Sequence, residues 1–148
     1  HTNDAPSTIN RLLNMGIEPF LVASSVNLIV AQRLARKVCN ACKERDDVAV
    51  ETLIQMGMDP ELAQKTECFK GKGCSVCGNT GFKGRIALYE VMPISDSIKE
   101  LILMGASATE IKNEAIAQGM KTLRQSGLTK IAEGVTSVSE ILRITMAD

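Results

Sequence analysis

Four cysteines set as two Cys-x-x-Cys pairs constrain this 148-residue chain more than any other feature. Cys39-x-x-Cys42 and Cys74-x-x-Cys77 each offer two sulfurs at knuckle spacing, with Gly73 and Gly78 flanking the second pair. Four thiolates complete a tetrahedral shell around zinc at about 2.3 Å, and such a shell leaves no position open to water or substrate. The pattern therefore predicts a closed structural Zn2+ site. The metal would also stabilise a segment with too few apolar residues to fold well without it. Free buried thiols, a redox pair, or iron in the same geometry are the competing readings. Cys68 makes the count five; it has no partner at knuckle spacing and reads as a small buried hydrophobe. An odd count and this spacing argue against a disulfide framework and fit reduced thiols in a cytosolic setting.

Charge narrows the function classes. Seventeen Lys+Arg balance seventeen Asp+Glu, whereas a protein that binds nucleic acid by releasing counterions shows an excess of base. Phe20, Phe69, Phe82 and Tyr89 are the only aromatic residues, too few for a stacking platform. No nucleic-acid partner is expected. The most apolar stretch, residues 20–31, is broken by Ser24, Ser25 and Asn27 and is too short to span a bilayer. His1-Thr2-Asn3-Asp4 reads like the middle of a longer protein.

Periodicity and capping signals organise the rest. Asp4 as N-cap, Pro6 in the first turn and Gly16 as stop predict a helix carrying Ile9, Leu12 and Leu13. Glu18-Pro19 starts a second helix, which runs to Ser25. From Leu28 a strand ending near Cys39 competes with helix continued through Arg36, and the β-branched Ile29-Val30 favours the strand. A small helix over Val48 to Met56 and another start at Asp59-Pro60 follow. Arg85 to Met92 alternates and ends at Pro93, as a strand should. If both strands are real, the cysteine segment is an insertion between neighbouring strands of one sheet. Four helices are predicted beyond it, over about 95–104, 107–118, 122–133 and 137–146. Ser107-x-x-Glu110, Thr122-x-x-Gln125 and Ser137-x-x-Glu140 have the spacing of capping boxes.

Few other residues can carry chemistry. His1 is the only histidine, and a terminal histidine is ordinarily solvated. Arg33, Arg36 and Lys37 form either a phosphate-reading patch or a solvated strand end. No Gly-x-x-x-x-Gly-Lys-Ser/Thr occurs, so the backbone cradle of a phosphate loop is missing.

An ordered set of segments nonetheless resembles one family. The run from His1 to Thr8 (HTNDAPST) is similar to the histidine box of the secretion ATPase superfamily. Pro19 to Ser25, then Ala31 to Arg36 with Cys39, then Gly84-Arg85-x-Ala87-x-Tyr89-Glu90-Val91 follow in the family's order. With the four cysteines between them, the whole chain resembles the C-terminal part of a type IV pilus assembly (extension) ATPase or its type II secretion counterpart.

The resemblance implies an α/β fold with four parts. Residues 1–38 would be the end of a RecA-like ATPase core and 39–77 the zinc-knuckle insertion. Residues 78–94 would be the returning strand, and 95–148 a C-terminal helical bundle. It implies a homohexameric motor that hydrolyses Mg-ATP, is peripheral to the cytoplasmic face of the bacterial inner membrane, and pushes on a membrane platform protein. His1 would face the γ-phosphate, and Arg33 and Arg85 would face nucleotide or a neighbouring subunit; salt bridging within the sheet is the alternative for both arginines. The phosphate loop and acidic boxes would lie before His1, so this chain alone should be inactive. From other classes come a zinc-stabilised module that binds protein or nucleic acid and a rubredoxin-like electron carrier.

Overall fold

A computed structural model describes residues 3–148 of the chain. Its elements run α1 (Ala5–Asn14), α2 (Pro19–Ser25), β1 (Leu28–Val38), β2 (Lys43–Asp46), α3 (Val50–Gln55), α4 (Pro60–Lys65), β3 (Cys68–Gly71), β4 (Phe82–Pro93), α5 (Asp96–Leu103), α6 (Ala108–Ala117), α7 (Leu123–Ala132) and α8 (Val138–Ile144). The fold is mixed α/β with two two-stranded sheets, β1 beside β4 and β2 beside β3. The cysteine segment is thus an insertion between paired strands, as its flanking patterns predict. None of the described helices is long and apolar enough to cross a membrane.

The chain forms two compact units. One comprises residues 1–32 and 89–122, the other 33–88 and 123–148. In the first, Asp4 caps α1 by accepting the Ser7 amide at 2.8 Å, and Gly16 takes φ of +92° just beyond its end. Helix α1 packs on α2 and α6, and α5 packs on α2 and α6. Ile9, Ile98, Ile102 and Ile111 are fully buried or nearly so. Ser107 and Glu110 form the complete capping box expected of them at the start of α6.

The second unit holds the insertion. β2 and β3 pair antiparallel, Lys43 opposite Gly71 through Asp46 opposite Cys68. Neither strand was legible in the sequence, because Lys-Glu-Arg-Asp and Cys-Phe-Lys-Gly carry no alternation of apolar residues. The helix expected from Val48 starts two residues later, since the Val48 amide turns back to the Asp46 carbonyl at 3.0 Å as the chain leaves β2. Helices α7 and α8 pack together here, and α7 also meets β3. The expected bundle over 95–148 is therefore divided: α5 and α6 belong to the first unit, α7 and α8 to the second.

A buried carboxylate organises the second unit. Ser137 caps α8 by accepting the Glu140 amide at 3.1 Å, but Glu140 does not complete the second half of the expected box. Its fully buried side chain accepts from the Arg36 amide at 2.7 Å, Arg36 Nε at 3.1 Å and Arg36 Nη2 at 3.0 Å. Arg143 Nε at 2.9 Å and Nη2 at 3.0 Å complete the set. Burial pushes the Glu140 carboxyl up, but the Arg143 and Arg36 donors outweigh it and hold it at about 2. The Arg36 guanidinium also lies 4.2 Å from the centre of the Phe82 ring. Arg36 is thus a structural residue, which removes it from the basic patch considered above.

Candidate metal centre

Cys39 follows directly on the end of β1, and Cys42 precedes β2 by one residue. The β2–β3 ladder then delivers the second pair, with the Lys72 amide donating to the Cys42 carbonyl at 3.1 Å. Tight backbone packing makes this possible. A Cβ on Gly71 would stand 2.0 Å from the Gly81 carbonyl oxygen, and Gly81 itself takes φ of +80°. Two glycines are therefore required where β3 passes the start of β4. Gly81 also closes the site: its carbonyl accepts from the Cys39 amide at 3.0 Å, and its amide points at Cys77 Sγ at 3.3 Å.

The four sulfurs Cys39, Cys42, Cys74 and Cys77 all lie within 4.8 Å of one another. Cys74 and Cys77 are 3.7 Å apart, Cys42 and Cys77 3.8 Å, Cys39 and Cys74 3.9 Å. A disulfide needs sulfurs about 2.0 Å apart, so these are free thiols. The edge of a tetrahedron with metal–sulfur bonds of about 2.3 Å is about 3.8 Å. The donor set therefore fits a tetrahedral metal ion, and the four cysteines could hold one.

Electrostatics within the cluster are uneven. Burial pushes the Cys77 thiol up, but amides of Cys74 and Gly81 and the neighbouring sulfurs outweigh it and bring it down to about 6. Burial pushes Cys42 up to about 12, against one opposing amide from Gly73, and the surrounding thiols add to the rise. Amides aimed at sulfur favour the thiolate, the form that ligates metal. Cys68 is buried outside the cluster, its thiol raised by burial and by the nearby Asp46 carboxylate, in keeping with a packing role.

Arg33 and Arg85 lie outside the four-cysteine cluster. Arg33 is half-buried on β1 and Arg85 exposed on β4. His1 lies outside the described residues. Polar contacts among the described residues that the sequence did not foretell include the Glu140 network and, second, a bond from the Ala5 amide to Glu90 Oε1 at 2.8 Å. A signal for the second existed: Glu90 is in phase with the apolar positions of an alternating strand.

The model of the type II/IV secretion system protein family matches residues 1–143. The chain belongs to that family. Among its relatives in this secretion family, the type IV pilus assembly ATPase PilB of Myxococcus xanthus is 51% identical over all of the chain and 26% of the relative. PilB of Acinetobacter baylyi is 46% identical over 98% of the chain and 25% of the relative. Type II secretion system protein E of Pseudomonas aeruginosa is 42% identical over 98% of the chain and 28% of the relative. The chain thus spans about a quarter of the length of these curated relatives.

Proposed function

We propose that this chain is the C-terminal part of a homohexameric motor that hydrolyses Mg-ATP to drive type IV pilus assembly. The observation that carries the reading is 51% identity, along the entire chain, to a protein named as a pilus assembly ATPase. Type II secretion is the second reading, supported by 42% identity to a type II secretion system protein E. On this reading residues 1–38 and 78–94 end a RecA-like core. Residues 39–77 are an insertion whose cysteines hold Zn2+, which supplies a closed cross-link and no reaction step. The motor works at the cytoplasmic face of the inner membrane, against neighbouring subunits and a membrane platform protein.

In phosphoryl transfer, catalysis is mostly positioning and charge stabilisation around the γ-phosphate. An imidazole near neutrality suits His1 to hydrogen-bond a phosphate oxygen and respond to its presence. Arg33 and Arg85 are the cationic side chains assigned to nucleotide or to the adjacent subunit. In the full-length protein, His1→Ala should slow hydrolysis about 10- to 100-fold while ATP binding changes little. That is the loss of one hydrogen bond to a charged group made chiefly in the transition state. The 148-residue chain alone should not turn over ATP. Equal rates for variant and wild type at saturating Mg-ATP, or turnover by the isolated chain, would overturn the assignment.

A further inference from the structure

Helix α2 is apolar on two sides. Val22 and Ala23 are buried, while Phe20, at 65% exposure, and Leu21 stand in solvent. Helix α5 repeats the pattern, with Ile98 and Ile102 buried, Leu103 exposed and the C-cap Met104 at 79%. The turn between α1 and α2 adds Met15, at 70%, and Ile17. The Ile94 amide, just before α5, donates to the Asn27 carbonyl, just after α2, at 3.0 Å. Because α2 and α5 also pack together, they run antiparallel, and the first turn of α2 meets the last turn of α5. The six exposed side chains thus gather at one end of the first unit. At roughly 200 Å² for a side chain of this size they expose on the order of 700 Å², whereas the largest apolar patch on a typical monomer is about 300–600 Å².

We propose that this apolar end is a docking surface for the segment that precedes these residues in the full-length polypeptide, within the same subunit. The inference rests on the reading of the chain as the C-terminal part of a longer protein, of which the 51%-identical relative has only 26% covered. Lipid suits the surface poorly: among residues 14–21 and 101–107 the only charged side chain is Glu18, whereas anionic headgroups attract lysine and arginine. The area is close to the roughly 800 Å² that each partner buries in a stable protein–protein contact. A second copy docking there would also have to offset its lost translational and rotational freedom. A tethered segment avoids most of that loss, because its effective concentration is in the millimolar range. Helix α1, with 10 residues from Ala5 and a length of about 15 Å, leads from near the junction to Met15. The tether is therefore short.

Methionines report such a cover directly, since oxidation of the thioether follows its exposure. Met15 and Met104 are exposed, whereas Met56, Met58, Met92 and Met120 are buried and would oxidise only on unfolding. Under dilute hydrogen peroxide, with sulfoxide read by peptide mass spectrometry, Met15 and Met104 of the 148-residue chain should react nearly as fast as in the urea-unfolded chain. In the full-length protein both should slow about tenfold. Phe20→Ser/Leu103→Ser should return them to the isolated-chain rate, while the melting temperature of the 148-residue chain stays within about 2 °C of wild type. A benzophenone amino acid in place of Phe20 identifies the occupant. On irradiation the full-length protein should cross-link to a residue upstream of this chain and keep single-chain mobility on a denaturing gel. A product of doubled mass would assign the surface to a neighbouring copy, and unprotected methionines would leave it open to solvent; either result overturns the proposal. Mg-ATP turnover by the same full-length sample separates the two readings. Turnover beside unprotected methionines refutes the docking surface alone, whereas absent turnover refutes the motor and leaves the cross-link to decide the docking.

Discussion

Replacing Glu140 with Gln tests the polar core of the second unit, because it keeps the volume and removes the charge that five donors share. The carboxyl is held at about 2 against an ordinary value of 4.5. At about 1.4 kcal/mol per pKa unit, the shift corresponds to roughly 3 kcal/mol of stability. Both guanidiniums are about half in water, Arg36 at 43% and Arg143 at 57% exposure, so solvent screening reduces the expected figure to about 2 kcal/mol. The sign follows from a folded value below the unfolded one. This stability is present above pH about 4.5 and is lost as pH falls towards 2. Urea unfolding of the 148-residue chain, followed by far-UV circular dichroism at several pH values from 7 to 2, measures it. The quantity to plot is wild type minus Glu140→Gln at each pH, since the acid sensitivity of the cysteine cluster is common to both and cancels. The difference should be about 2 kcal/mol at pH 7 and should shrink steadily below pH 4.5. A difference that stays flat down to pH 2, or is under about 0.5 kcal/mol at pH 7, would refute the claim that the carboxylate stabilises this unit.

Two further outcomes concern the insertion. The purified chain should carry about one zinc per molecule. Cys39→Ser or Cys74→Ser should release it and raise hydrogen exchange across residues 39–77 while α7 and α8 stay protected; elemental analysis without zinc would count against the site. Gly71→Ala should destabilise the chain by about 2–4 kcal/mol, because the new methyl meets backbone at 2.0 Å and not a side chain able to swing away. A thermal melt unchanged from wild type would show that β3 and Gly81 separate at little cost.

What the sequence disclosed followed how local each cause was. Asp4 and Ser107 each cap an amide three residues on, and Pro19 fixes φ at the first position of its own helix, so α1, α6 and α2 could be placed from short patterns. Spacing within each Cys-x-x-Cys pair revealed the donors, and the structure then brought the two pairs together. β2 and β3 stayed hidden because they are held by each other and by the cysteine cluster, not by a buried apolar face. Glu140 was hidden differently. Its place in Ser137-x-x-Glu140 offered a sufficient local role, whereas its actual partners include Arg36, 104 residues away. The helices after Pro93 were individually legible, but their division between two units depends on tertiary packing that no short window contains.

The bond from the Cys39 amide to the Gly81 carbonyl has a consequence for how such chains can diverge. The polypeptide leaves β1 at Val38 and re-enters β4 at Phe82, and this bond pins exit to entry. Everything between is a detour whose two ends are already joined. Its length is consequently free of the register of β1 and β4, since a residue gained or lost around α3 or α4 is absorbed before the chain returns. An exchange of the whole detour for a short hairpin turn would leave the alternation of β1 and β4 in phase, whereas a single insertion within either strand would reverse the faces of every residue beyond it. The segment can thus be lengthened, shortened or re-surfaced for a new contact while the paired strands beneath it stay the same.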